Sequence, residues 1–275
     1  MKLSIIISTY NSEEWLSKVL FGYSLQTEND FEIVIADDGS TAKTKQVIDS
    51  YQSKFKNPIV HVWQEDDGFQ KTKILNKAII KSKSDYLLFS DGDCIPRKDF
   101  VAAHLKYKQN GYFLSGGYFK LPIVISNNIT FDDIQSQNCF SFKWLKSKGM
   151  KWNFKANKLI NNSMFSTFMN VITPTKRSWN GHNSSGFKKD ILAINGFNEE
   201  MQYGGEDREL GERLHNNGIL SKQIRYSAIC LHLEHDRSYS SNATWQKNNE
   251  IRKFNKLNKI TYIQNGIDKH GKSES

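Results

Sequence analysis

Tyr86-Leu87-Leu88-Phe89-Ser90-Asp91-Gly92-Asp93 is an apolar run of strand length that stops at two carboxylates on one turn. A strand with no polar alternation needs cover on both faces, which a parallel sheet between helical layers supplies. The chain upstream repeats the pattern. Leu3 to Ser8 and Phe31 to Ala36 read as further buried strands, and Ile59 to Trp63 as another strand. Helical spacing fills the gaps between them. Trp15, Leu16, Val19, Leu20 and Tyr23 mark a helix from Ser12 to about Gln26, and Ser40 or Thr41 caps another reaching Tyr51. A third, Phe69 to about Lys81, puts Ile74, Leu75, Ala78 and Ile79 on one face. Strand and helix in alternation predict an α/β fold, a mostly parallel, Rossmann-like sheet flanked by helices. Such sheets bind ligands beyond the carboxyl ends of their strands. Thr9-Tyr10-Asn11, Asp37-Asp38-Gly39, Asp66-Asp67-Gly68 and Asp91-Gly92-Asp93 all fall there.

After Phe119 the regularity fails. Leu121 to Asn180 is expected to be an irregular, partly helical subdomain or lid, because it is too long for an ordinary loop. A helix is expected over Glu206 to Asn216 behind Tyr203-Gly204-Gly205, a strand over Gln223 to Leu231, and a basic helix from Trp245 to about Leu257. The last ten residues are expected to be disordered.

Among 275 residues, 38% are hydrophobic, enough for a folded core. No apolar run approaches the roughly 20 residues of a membrane span, and nothing after Leu3 to Ile7 resembles a signal-peptide cleavage site. Cys94, Cys139 and Cys230 are too scattered for a disulfide framework and read as free thiols. A cytoplasmic setting is therefore expected. The net charge of +9 sits between Ser141 and Asp190, where ten Lys and Arg face one acid. Phe142, Trp144, Trp152, Phe154 and Trp179 run through that block, a mixture suited to an anionic partner or a membrane interface.

The rim residues resemble the motifs of family 2 glycosyltransferases with the GT-A fold. The resembling elements are Ser4 to Asn11, Glu32 to Ser40 and Asp91-Gly92-Asp93. The resemblance implies that Thr9, Tyr10, Asn11, Asp37, Asp38, Gln64 and Asp67 line a nucleotide pocket. It further implies that Lys73 meets phosphate, and that Asp93, with Asp91 across Gly92, holds Mn²⁺ or Mg²⁺. Hard carboxylate oxygens suit those ions. Gly181-His182-Asn183, Ile194 to Glu199 and Gly204-Gly205-Glu206-Asp207 look like the C-terminal catalytic region of galactosyltransferase-like enzymes. That likeness assigns Asp207 as general base, Glu206 as acceptor ligand, and Trp179, His182, Asn183 and Gly205 to the sugars. A histidine after the last strand completes the metal site in related enzymes; His235 is favoured here over His232.

The implied layout is a nucleotide-sugar half over 1–120, an acceptor and catalytic half of the same domain over 121–240, and a basic helix and tail over 241–275. The implied reaction inverts the anomeric centre of a UDP-sugar, with a glycan or lipid-linked hydroxyl as acceptor. Bacterial surface-polysaccharide synthesis at the inner membrane face would use such an enzyme. Two other readings compete. A sugar-nucleotide pyrophosphorylase would need a glycine-rich loop where Ser8-Thr9-Tyr10-Asn11 stands. A non-catalytic basic module for nucleic acid or membrane leaves the acidic rim unexplained, since carboxylates repel phosphate; nucleic acid is therefore not expected as a partner.

Overall fold

The computed structural model describes residues 1–234 and 242–271. Strands β1 (Leu3–Thr9), β2 (Phe31–Asp37), β3 (Val60–Trp63) and β4 (Tyr86–Asp91) are parallel, with β1 between β2 and β4. Helices α1 (Glu13–Ser24), α2 (Ala42–Tyr51) and α3 (Lys71–Lys81) connect them. Alternate residues of one strand point to opposite faces. Ile5, Ile7, Ile33 and Ile35 accordingly pack with Leu16, Val19 and Leu20 of α1, while Ile6, Val34 and Phe89 pack with Ile74, Leu75 and Ala78 of α3. Cover on both faces is why β1, β2 and β4 carry almost no polar alternation, while β3 at the sheet edge is only half-buried.

The chain continues through β5 (Cys94–Pro96), α4 (Phe100–Tyr107), β6 (Tyr112–Ser115) and β7 (Gly117–Lys120). Next come the short helices α5 (Ile123–Asn128), α6 (Phe131–Gln135) and α7 (Phe142–Ser147), then α8 (Ser163–Ile172). They are followed by β8 (Ser184–Phe187), α9 (Lys188–Ala193), α10 (Glu206–Asn216), β9 (Leu220–Gln223), β10 (Ile229–His232) and α11 (Asn242–Leu257). The main sheet has the order β3-β2-β1-β4-β8-β6-β9, with β8 antiparallel to both neighbours, and β5-β10-β7 form a second sheet. The irregular stretch after Phe119 is thus short helices joined by loops, and all three cysteines are buried and free.

Two expectations need correction. The single strand expected over Gln223 to Leu231 is two, because a turn at Ile224 to Ala228 sends β9 to the large sheet and β10 to the small one. Only β10 is apolar and buried; β9, Leu-Ser-Lys-Gln, is polar and partly exposed, so it offers no apolar run to mark it as a strand of its own. The last residues are not all disordered: Ile267 packs into the α3-side core, and Asn195 donates to the Ile263 carbonyl and to Asp268. Residues 272–275 lie outside the described residues.

Asn183 joins the two sheets. It is fully buried; Nδ2 donates to the carbonyls of Gly117 and Ala228, and Oδ1 pairs with His104 Nε2 at 2.8 Å. Burial pushes His104 down to about 4, so the ring is neutral. The Asn183 side chain occupies the space a Cβ on Gly116 would fill, which makes glycine obligatory there. Asn183 is therefore a structural clamp and not the sugar ligand expected. Asn183→Ala strands three buried polar partners, and we expect a loss of about 2–4 kcal/mol in urea melts. A loss below about 0.5 kcal/mol would refute the clamp.

Candidate active site

The carboxyl ends of β1, β2 and β4 sit side by side, with Ser8 opposite Asp91 and Thr9 opposite Asp37. Asp91 Oδ1 accepts from the Ser8 hydroxyl at 2.6 Å and from Lys71 Nζ at 2.8 Å. Burial opposes ionisation of Asp91, but the Lys71 ammonium overcomes it and holds the carboxyl well below the usual range. For Lys71 the balance is mirrored: burial lowers its pKa, while Asp91, Asp207 and Glu206 together raise it well above the ordinary value. Gly92 lets the turn fold back, its N–H donating to the Ser8 carbonyl, with the Thr9 hydroxyl 3.1 Å from where a Cβ would stand.

Asp93 points the other way. Its Oδ2 is 3.6 Å from His232 Nε2, and ligand atoms of Asp93, Cys94 and His232 lie within 4.8 Å of one another. The Cys94 thiol donates to Asp93 Oδ1, and burial pushes its pKa well up, so it stays protonated. Among the described residues a carboxylate and an imidazole remain, donors that fit Mn²⁺ or Mg²⁺ bound together with substrate phosphates. The two aspartates therefore face different partners. Asp91 belongs to Lys71 and Ser8, and His232 is the histidine beside Asp93; His235 lies outside the described residues.

At the expected nucleotide end, Asp37 is buried, pairs with His61 Nε2 at 2.8 Å and accepts from the Ser40 N–H. Asp38 accepts from the Gln64 amide at 2.6 Å and the Gln70 N–H at 2.9 Å; burial nevertheless pushes it up to about 6. Tyr10 is half-exposed and donates to Asp66. Asn11, at φ 41°, binds the Thr41 N–H through Oδ1 and fixes the loop after β1. Asp67 is exposed, and its carbonyl accepts weakly from the Gln70 side chain. Lys71, and not Lys73, is the lysine that pairs with Asp91 on the rim; two residues apart on a helix, they point about 200° apart.

Beyond the rim lies a cleft of about 390 Å³, lined by Tyr118, Lys158, His182, Tyr203, Glu206, Asp207, Arg225 and Trp245 among others. Glu206 and Asp207 open α10 behind Gly204 and Gly205, which hold φ 110° and 91°, a backbone that glycine adopts without strain. Glu206 accepts from the Gly204 N–H; burial, then the Asp207 charge, push it up to about 7. Asp207 is also raised, by burial first, with Lys71 opposing and Asp91 adding to the rise. A Cβ on Gly181 would fall 2.7 Å from Asp207 Oδ2, so glycine allows the close approach. His182 is held neutral, near 4, by desolvation, and its ring lies 4.6 Å from Tyr118 and 6.1 Å from His232.

Trp179 needs a different reading from the one expected. Its side chain is fully buried and packs on Phe89 and Phe113, leaving no face for a sugar. Tyr118, Lys158, Arg225 and Trp245 were not anticipated. They come from separate elements with no shared spacing; the basic, aromatic composition of 141–190 was the available signal, and only for Lys158.

This arrangement has counterparts. The fold is that of GT-A glycosyltransferases. Residues 1–349 of Staphylococcus aureus TarS, solved with UDP-GlcNAc, overlay at TM-score 0.61 with 18% identity, over 95% of this chain and 70% of that one. The mannosyltransferase PcManGT from Pyrobaculum calidifontis, solved with GDP-Man and Mn²⁺, gives 0.57 with 15% identity, over 93% and 61%. The chain belongs to glycosyl transferase family 2, whose profile matches residues 4–172; a profile described as the N-terminal domain of galactosyltransferase matches 169–236. The uncharacterized glycosyltransferase YfnE of Bacillus subtilis is 27% identical over 88% of this chain and 67% of its own length. Chondroitin synthase of Escherichia coli is 25% identical over 84% of this chain and 34% of its own length. The chain thus spans between a third and two thirds of these two relatives.

Proposed function

We propose that the chain moves a sugar from a UDP-sugar to a hydroxyl of a glycan or lipid-linked acceptor, inverting the anomeric centre. The observation that carries this reading is the buried Glu206–Asp207 pair at the cleft, coupled through Lys71 to Asp91 on the rim. A hydroxyl attacks only as a base takes its proton, and a carboxylate with a raised pKa is the stronger base. Asp207 is assigned that proton, and Glu206 orients the acceptor. Residues 1–120 would hold the nucleotide through Thr9, Asp38 and Gln64, and 121–240 the acceptor. Asp93 and His232 would hold Mn²⁺ or Mg²⁺, which when bound supplies charge to balance the leaving diphosphate. UDP is favoured because TarS was solved with UDP-GlcNAc; chondroitin synthase and the poly(ribitol-phosphate) transferase TarS suggest a surface-polymer setting.

Peripheral attachment at the cytoplasmic membrane face fits a lipid-linked acceptor; among the described residues no helix is long and apolar enough to cross a bilayer. A donor screen tests the assignment. Hydrolysis of UDP-sugar in Mn²⁺, its abolition by EDTA and its return on adding Mn²⁺ are expected, with His232→Ala needing at least about tenfold more Mn²⁺. Faster turnover of a GDP-sugar would overturn the choice of nucleotide, and activity indifferent to EDTA the metal.

A further inference from the structure

Helix α8 is amphipathic in the reverse of the usual sense. Ser166, Met169 and Asn170 form its buried side, and Asn170 is tied down by the Ser227 hydroxyl, the Tyr226 N–H and the Gln223 amide. Met164, Phe168, Val171 and Ile172 face outward, 84%, 59%, 74% and 51% exposed. Spaced i, i+4, i+7 and i+8, they make one stripe along the helix. A helix on a water-facing surface carries polar groups there instead. The chain entering α8 has the same character, with Ile160, Phe154 and Trp152 all exposed.

Charge narrows the occupant. Lys151, Lys155, Lys176 and Arg177 are exposed on the segments flanking α8, and no acidic residue occurs from Ser141 to Lys189. A second copy docked on this face would set cation against cation. A bilayer surface with anionic headgroups satisfies both halves, taking the apolar stripe into the acyl boundary while the lysines pair with phosphates. The segment also reaches the cleft, since Lys158, between Phe154 and Ile160, lines its wall.

We propose that α8 and its flanking cations form an interfacial anchor that seats the chain on an anionic bilayer with the cleft beside the headgroups. The proposal deepens the peripheral attachment inferred above, and its test needs no turnover. The wild-type chain should sediment with vesicles containing phosphatidylglycerol, and far less with phosphatidylcholine vesicles. Combining Met164→Gln, Phe168→Gln, Val171→Gln and Ile172→Gln should lower that partitioning by about 100-fold or more. Circular dichroism, melting temperature and hydrolysis of soluble UDP-sugar should stay at wild-type values, since none of the four side chains is buried or lines the cleft. The proposal fails if wild type ignores both vesicles or if the four-glutamine variant binds as well as wild type. It also fails if light scattering shows a wild-type dimer that the variant abolishes, which would make a second copy the occupant. Loss of hydrolysis in an otherwise normal wild-type preparation would count against the transferase reading alone.

Discussion

Asp207→Asn should keep UDP-sugar affinity within about twofold of wild type while transfer falls by about 10³-fold or more. The amide preserves the shape of the side chain but cannot take the acceptor proton. Asp207 lines the cleft, and its Oδ1 has no hydrogen-bond partner among the described residues. The pH profile carries a second signature. A base works ionised, and burial raises Asp207, so wild-type turnover should decline as pH falls, and should begin to do so above the range of an ordinary aspartate. Stability should move oppositely. A carboxyl raised in the folded state binds more protons there than in the unfolded chain, so it destabilises as pH climbs above the unfolded value. Removing the Asp207 charge also lowers Glu206, which that charge helps to raise. The inactive variant should therefore melt higher than wild type at pH 8 and no higher at pH 4. Turnover within tenfold of wild type would remove Asp207 from the role of base.

Lys71→Met should cost about 2–4 kcal/mol at pH 8 and distinctly less at pH 5. Lys71 is the cation that Asp91, Asp207 and Glu206 share, and its removal leaves three buried carboxylates with mutual repulsion. Without Lys71 the lowered Asp91 should rise and the already raised Glu206 and Asp207 should rise further, so the folded state takes up protons as pH falls and regains stability. Adding Asp91→Asn should restore part of the loss, because the donor-side charge that Lys71 directly pairs with is then gone. Denaturant melts at the two pH values measure the difference. Equal losses at both would mean that Lys71 contributes packing and not charge balance.

Strands β1, β2 and β4 were legible because each is buried on both faces, and near-continuous apolar runs such as Ile33 to Ala36 leave no competing reading. Glu206 to Asn216 was legible for another reason: acids at its start and Arg213 and His215 in its last turn suit the helix dipole. What escaped was long-range. Nothing local separates a core tryptophan from a sugar platform, and Trp179 was settled by Phe89 and Phe113 from distant strands. Asp91 and Asp93 look equivalent in a tripeptide, yet the turn aims one at Lys71 and the other at His232. Lys71 and Lys73 were distinguished only by helix phase. Strands of four residues, β6 to β10, fall below the length at which period 2 is informative.

Strand β8 lies between β4 and β6, although the chain makes it after both. During synthesis β4 would emerge with a bare hydrogen-bonding edge, and β6 with neither of its partners, β8 and β9, yet made. The nascent α/β half would wait through the whole helical stretch from Ile123 to Ile172 before that edge is covered. An exposed edge strand is a template for pairing with another chain. Fragments that stop short of Ser184 should therefore be sticky on the ribosome, and the last third of the polypeptide acts as the latch that ends that vulnerability.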